Sequence, residues 1–279
     1  MNAPVSENPT VLIRPPHGWV PVKLQDLWEY RELLYFLVWR DIKVSYARTV
    51  LGVAWAILKP VVTMAVFAII FGWLVRVPSE GVPYPIFVFA ALLPWQLFAR
   101  ALAGSSSSLV ANENLITKVY FPRLVMPVSA TVAGILDFAI ASVVLFGMMW
   151  FYHIVPTAAV WTLPLFVMLA IATALGVGLW LSALNVLYRD VGHACPFLIQ
   201  VWLFATPIIY PSSLVPESLR VAYWLNPMVG VVEGFRWALL GTGSPPGSML
   251  AFSVLVAMAV LLSGLYFFRR LEQTFADTV

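Results

Sequence analysis

Pro207–Gly241 reads PIIYPSSLVPESLRVAYWLNPMVGVVEGFRWALLG, and the reading of this stretch sets how the rest of the chain is organised. It is largely apolar, yet prolines at 207, 211, 216 and 227 cut it into short pieces. A helix that crosses a bilayer needs about 20 uninterrupted residues, and pieces of about 10–14 are more often re-entrant or interfacial. Asn226-Pro227 supplies an N-cap followed by proline at the first helical position, and Gly241 supplies a stop. The spacing predicts a helical hairpin over about 211–241: a short helix near 216–225, a sharp turn, and a second helix near 227–240. Broken backbone at membrane depth survives only where protein or a water-filled cavity covers it. The hairpin is therefore a candidate exit gate.

Composition places the hairpin in a membrane protein. The 279 residues are 61% hydrophobic and 10% charged, with mean hydropathy +0.89. Soluble domains carry about 25% charged residues. Net charge is only +3 and the basic residues fall in loops, so nucleic acid is not an implied partner. The single Cys195 has no disulfide or metal-ligand companion and reads as a small buried apolar residue. The first 50 residues show no charged n-region followed by an apolar h-region, so no cleaved signal peptide is expected.

Outward from the hairpin, six spans are predicted, at about 53–75, 85–111, 124–150, 163–187, 195–210 and 250–268. The fold class is an all-α integral membrane protein, with the re-entrant hairpin between spans five and six. A cytosolic arm over 1–22 precedes an amphipathic interface helix over 23–50, and a tail over 271–279 follows the six-span domain at 51–270. In the interface helix Leu24, Leu27, Trp28, Tyr35, Val38 and Ile42 recur near a 3.6 period, interrupted by Arg31. Such a helix suits the membrane interface, or packing on a partner. Twelve basic residues fall on the side of the termini and three on the other, which sets both termini in the cytoplasm. Two stripes of small residues, Ala99, Ala103, Ser107, Ala111 and Ala170, Ala174, Gly178, Ser182, read as close helix packing.

Chemistry-bearing motifs are missing. No G-x-x-x-x-G-K-[ST], H-E-x-x-H, paired cysteines or G-x-S-x-G occurs, and His17, His153 and His193 are scattered. Enzymatic function has no positive sign, and no cofactor or metal is expected in this chain. Two ionisable residues do fall deep in predicted spans. Arg100 lies about 22 Å from the outer start of its helix and Asp137 about 20 Å from the inner start of the next, at 1.5 Å per residue. A lone charge there is costly, so a mutual pair is preferred over a polar lining for a substrate path. On the second hairpin helix Glu233 and Arg236 share a face, where they pair locally or touch substrate together with Trp237. Tyr210, Tyr223, Trp224 and Trp237 belong either to an interfacial aromatic belt or to a path that suits sugar rings. The inner loops over 112–123 and 187–193 mix aromatic and charged residues, as caps or as plugs for a cytosolic partner's groove.

Taken together these residues resemble a known family. Arg31-Glu32-Leu33-Leu34, Arg40 to Tyr46, Leu51-Gly52, Trp55 to Pro60, Leu115 to Arg123, Leu187-Tyr188-Arg189-Asp190 and Leu225-Asn226-Pro227 with Glu233 and Arg236 follow one another as in ABC-2 type permeases. The likeness is to those that export polysaccharides such as O-antigen, capsule and teichoic acid, and it covers about residues 24–270. The resemblance implies a homodimer of permease chains with two ATP-binding cassette ATPase subunits, which bind the ATP and Mg, in a bacterial inner membrane. It implies a lipid-linked glycan as substrate. Asn114, Leu115, Lys118, Tyr120, Phe121, Arg123, Tyr188, Arg189 and Asp190 would then touch the ATPase, while Tyr210, Tyr223, Trp224, Asn226, Glu233, Arg236 and Trp237 would shape the exit. After Phe268 only 11 residues remain, so the energy source is expected on another subunit. Rival readings are an exporter of a drug or small lipid in the same superfamily, and an ion-driven carrier. A carrier would carry several embedded acids and inverted repeats.

Overall fold

The computed structural model describes residues 28–47, 50–243, 245, 247–272 and 275. The arm over 1–22, the first residues of the interface helix and most of the tail lie outside them. The described residues form helices without strands, in the order α1 (Arg31–Tyr46), α2 (Ala54–Phe67), α3 (Tyr84–Ser107), α4 (Glu113–Lys118) and α5 (Val125–Phe151). There follow α6 (Leu163–Leu187), α7 (Asp190–Phe204), α8 (Arg220–Trp224), α9 (Pro227–Leu240) and α10 (Gly247–Leu271). A π-helical stretch, Ala68–Leu74, prolongs α2.

Among the described residues five helices are long and apolar enough to cross a membrane: Ala54–Leu74, Tyr84–Ser107, Val125–Phe151, Ala158–Leu187 and Gly247–Leu271. They coincide with five of the six predicted spans. The remaining span, expected over 195–210, is differently built. Its helix α7 starts at Asp190 and stops after 15 residues at Phe204, about 22 Å long at 1.5 Å per residue. Proline is the reason: Pro207 has no N–H to offer the Leu203 carbonyl and disfavours helix at Thr206. The chain continues instead through a turn in which Thr206 N bonds Leu203 O at 3.2 Å and Ile208 N bonds Thr206 O at 2.7 Å.

The bundle is built around α3. In its most apolar window 78% of the residues are buried, against 6% in Ala54–Leu74. Around α3 a continuous core joins Ile86–Leu93 to Phe166 and Ala170 of α6, Phe235 and Leu239 of α9, and Leu145 and Met149 of α5. A second cluster gathers Leu37, Leu109, Ile116, Phe121, Leu124, Phe268 and Phe275. It lies at the end of the bundle where α3 and α10 finish.

The two small-residue stripes have different fates. Ala170, Ala174, Gly178 and Ser182 are buried, and a Cβ on Gly178 would overlap Ser105 of α3. On the neighbouring contact a Cβ on Gly176 would lie 2.7 Å from the Leu261 amide nitrogen, and one on Gly264 would overlap the Gly176 carbonyl oxygen. Backbone meets backbone here, which is how helices associate when lipid offers no hydrophobic drive. Gly264→Ala is expected to force α10 off α6 and destabilise the chain by about 1–3 kcal/mol, the range for overpacking. A lowered thermal midpoint in detergent, with reduced membrane yield, checks it. The other stripe does not pack a helix. Ala103, Ser107 and Ala111 are exposed and face an open cleft, because α1, α2 and α5 frame this side of α3 without filling it.

α1 also turns differently from the predicted stripe. It packs on α5 and buries Leu37, with Leu33 and Leu34 against the second cluster. Trp28 and Tyr35 of the predicted stripe are exposed, beside Phe36 and Trp39.

Candidate functional site

The cleft lies among the end of α1, the start of α2, and the facing sides of α3 and α5, with a volume of about 1190 Å³. Arg40, Ser45, Lys59, Gln96, Ser107 and Asn112 give it polar walls inside an otherwise apolar bundle. Arg100 and Asp137 stand in it as an ion pair and line it at the same time. Their side chains remain 35% and 20% exposed, so the pair faces the open space. The Tyr46 hydroxyl donates to Asp137 Oδ1, and Arg100 Nη2 donates to Ser45 Oγ at 3.1 Å. The pair thereby ties the end of α1 to α3 and α5. Sequence depth alone brought Arg100 and Asp137 together; Ser45 and Tyr46 carry no such depth signal and were missed.

At the other end of α3, Arg236 bolts α9 to the turn after α7. This side chain is 1% exposed and lies 3.6 Å from the centre of the Phe87 ring. Nε donates to Phe87 O at 3.3 Å, Nη2 to Ile208 O at 2.8 Å, and Nη1 to Tyr210 O at 3.4 Å. Nη1 also meets Glu233 Oε1 at 3.3 Å. The intervening carbonyl, Ile209 O, accepts from the Tyr84 hydroxyl at 2.6 Å. Tyr84 can sit there because Gly72 leaves room; a Cβ on Gly72 would lie 2.7 Å from its ring. Three successive carbonyls of the turn after α7 are thus satisfied without a helix, which is the condition for irregular backbone inside a membrane protein. The local pair of Glu233 and Arg236 is formed, with the Arg236 side chain 1% exposed. Glu80 is a further acid at this end, with Ser213 Oγ donating to its Oε1 at 3.5 Å. The contacts of Glu80 with Ser213 and of Tyr84 with Ile209 escaped sequence reasoning, since nothing local marks residues more than 120 positions apart as neighbours.

Asn226 fixes the hairpin turn. Its Oδ1 accepts from Met228 N at 3.0 Å, capping α9, and from Trp202 Nε1 at 2.8 Å. Its Nδ2 donates to Thr206 Oγ1 at 3.0 Å and Ala205 O at 3.2 Å. Both lone pairs of the carboxamide oxygen and both N–H groups of its nitrogen are thereby used. Trp202 packs on Phe98 with ring centres 4.9 Å apart. Phe98 is eleven residues beyond Phe87, about 16 Å further along α3. The turn at Asn226 is therefore deeper in the bundle than Arg236. Of the remaining gate candidates, Tyr210 donates to Phe204 O at 3.1 Å, Trp224 lies on Phe252 at 5.8 Å, and Tyr223 and Trp237 are half-buried nearby.

The inner loops split into an outward and an inward set. Asn114, Lys118, Tyr120, Tyr188, Arg189 and Asp190 are exposed. Leu115, Phe121 and Arg123 turn inward: Leu115 and Phe121 join the second cluster, and Arg123 bonds Glu272. Both loops stand at one end of the bundle, where Asn185 Nδ2 donates to Ser106 O at 3.1 Å and Gly192 abuts Asn185. Among the described residues no group of three or more His, Cys, Asp and Glu side chains comes together.

An all-helical bundle that keeps a charged cleft open deep among its apolar helices has the build of a multi-pass membrane transporter subunit. The chain belongs to the ABC-2 type transporter family, whose profile matches residues 32–240. It is 30% identical over 261 residues to an O-antigen export system permease protein of Myxococcus xanthus, covering 92% of this chain and 98% of that one. An O-antigen export system permease protein of Klebsiella pneumoniae is 28% identical over 247 residues, covering 88% and 94%. A polysialic acid transport protein of Escherichia coli is 24% identical over 248 residues, covering 84% and 91%.

Proposed function

We propose that this chain is the permease subunit of an exporter that passes a lipid-linked polysaccharide from the cytoplasm across the inner membrane, powered by separate ATP-binding cassette ATPases. The observation that carries this reading is the one-sided cleft. Polar and charged side chains stand among the apolar ones of its walls, and α2 beside it is apolar yet almost wholly unburied. A second copy set against that side would close the cleft into a passage, and a twofold pair is the commonest way for one surface to complete itself. The sequence likeness to permeases named for O-antigen and polysialic acid supports a glycan as cargo.

In this reading α7 and the turn after it form a sixth crossing, which returns both termini to the cytoplasm in keeping with the basic-residue bias. The segment from α8 to α9 is a re-entrant hairpin that dips to the level of Phe98 and returns outward, with Tyr210, Tyr223, Trp224, Glu233 and Trp237 at the exit. Exposed Asn114, Lys118, Tyr120, Tyr188, Arg189 and Asp190 meet the ATPase, while Leu115, Phe121 and Arg123 hold that surface from behind. ATP and Mg are bound by the partner. The exposed aromatics of α1 lie against lipid headgroups. Deletion of the gene tests the reading. A surface polymer should accumulate inside the cell, and its export should return when this chain is supplied again to cells that keep their ATPase subunit. Unchanged surface polymer would overturn it.

A further inference from the structure

We propose that Glu272, beyond the last long helix, is a positioning residue that fastens the segment 113–123 to α10, so that force on the segment reaches the hairpin through one helix. The inference rests on the reading of 113–123 as the ATPase-facing element. Three bonds make the fastening. The Glu272 carboxylate oxygen Oε1 accepts from the Arg123 backbone N–H at 3.0 Å. The Glu272 carbonyl accepts from the Arg123 guanidinium. Oε2 pairs with Arg269 Nη1 at 2.9 Å, which holds the carboxylate against the end of α10. Beneath these bonds Phe268 and Phe275, both fully buried, meet at 5.3 Å and pack with Ile116, Phe121 and Leu124.

The same helix touches the hairpin at its far end. Ser253 stands against Gly230 of α9, where a Cβ would come within 2.8 Å of the Ser253 Cβ, and Phe252 lies against Trp224 of α8. From Ser253 to Phe268 is fifteen residues, about 22 Å along the helix. Between these ends α10 meets α6 backbone to backbone at Gly176 and Gly264. One continuous helix with a fixed contact at each end is a physical route for coupling between the two sites.

The test uses the complete exporter in cells, with Lys118→Cys in a Cys195→Ala background and a thiol–amine crosslinker to the ATPase. Glu272→Ala is expected to lower export about tenfold, within the usual range of coupling between sites. Crosslinking at 118, ATP hydrolysis and protein level should stay as in the parent. Glu272→Gln keeps an oxygen for the Arg123 N–H and loses only the charge of the Arg269 pair, whose hydrogen bond the amide oxygen can still accept, so it should return most of the export. Full export by Glu272→Ala, or a loss that merely follows falling protein level, would overturn the role of Glu272 while leaving the permease reading intact. Absence of the crosslink at 118 in the parent would instead overturn the underlying assignment of the segment, and the proposal with it.

Discussion

Arg236→Met is expected to collapse the hairpin end of the protein, with membrane yield falling to a small fraction of the parent level. The guanidinium is fully buried and supplies hydrogen bonds to Phe87 O, Ile208 O and Tyr210 O as well as to Glu233. Methionine fills similar volume but leaves these carbonyls without a donor and the Glu233 carboxylate without its cation. Removing one partner of a buried, hydrogen-bonded pair costs about 3–5 kcal/mol, a large part of the stability of a marginal fold. Lysine keeps the charge but presents one ammonium where a planar fork is needed. Arg236→Lys should therefore fall between parent and Met. Glu233→Gln, which keeps an acceptor for Nη1, should be the mildest of the three. Thermal midpoints in detergent, read beside membrane yield, rank the series; equal behaviour of Met and parent would remove Arg236 from the structural role assigned here.

Asp137→Ala should also lower membrane yield several-fold, for a different reason. It leaves Arg100 facing the cleft without its carboxylate and releases the Tyr46 hydroxyl, so the end of α1 loses its hold on α5. Because both side chains are partly exposed, the cost is set at about 1–3 kcal/mol, below the range for fully buried pairs. Adding Arg100→Leu should restore part of the yield, since the orphaned charge is gone. It should not restore export if the polar wall of the cleft guides the glycan. Losses that simply add in the double variant would argue against an interacting pair.

The breaks in the stretch 207–241 were legible in the sequence because their signals are local. Pro207, Pro211, Asn226-Pro227 and Gly241 act on their own backbone within a few residues, and the φ of +68° at Gly241 follows from the same local rule. The depth of Arg100 and Asp137 was legible because counting residues along two helices is enough to place them side by side. The role of Arg236 was not. Its acceptors lie at 87, 208 and 210, and no periodicity within α9 points to them. Pro207 announced that a helix would stop, yet the sequence reading carried the span on to 210, where the structure forms a turn held by distant side chains.

By itself the sequence determined that this is a membrane bundle, roughly where its long helices run, and where the chain must break. Only the tertiary structure decided which helix is central and which small-residue stripe packs. Ala54–Leu74 has mean hydropathy 2.1 and is almost unburied, while Tyr84–Ser107, at 1.7 the lowest of the five, forms the core. Lipid and protein interior are both apolar, so hydropathy reports how long a helix can stay in the membrane and is silent on what it touches there. What it touches is settled by shape and by hydrogen bonds between residues far apart in the chain: Gly178 against Ser105, Tyr84 on Ile209, Arg236 on Phe87.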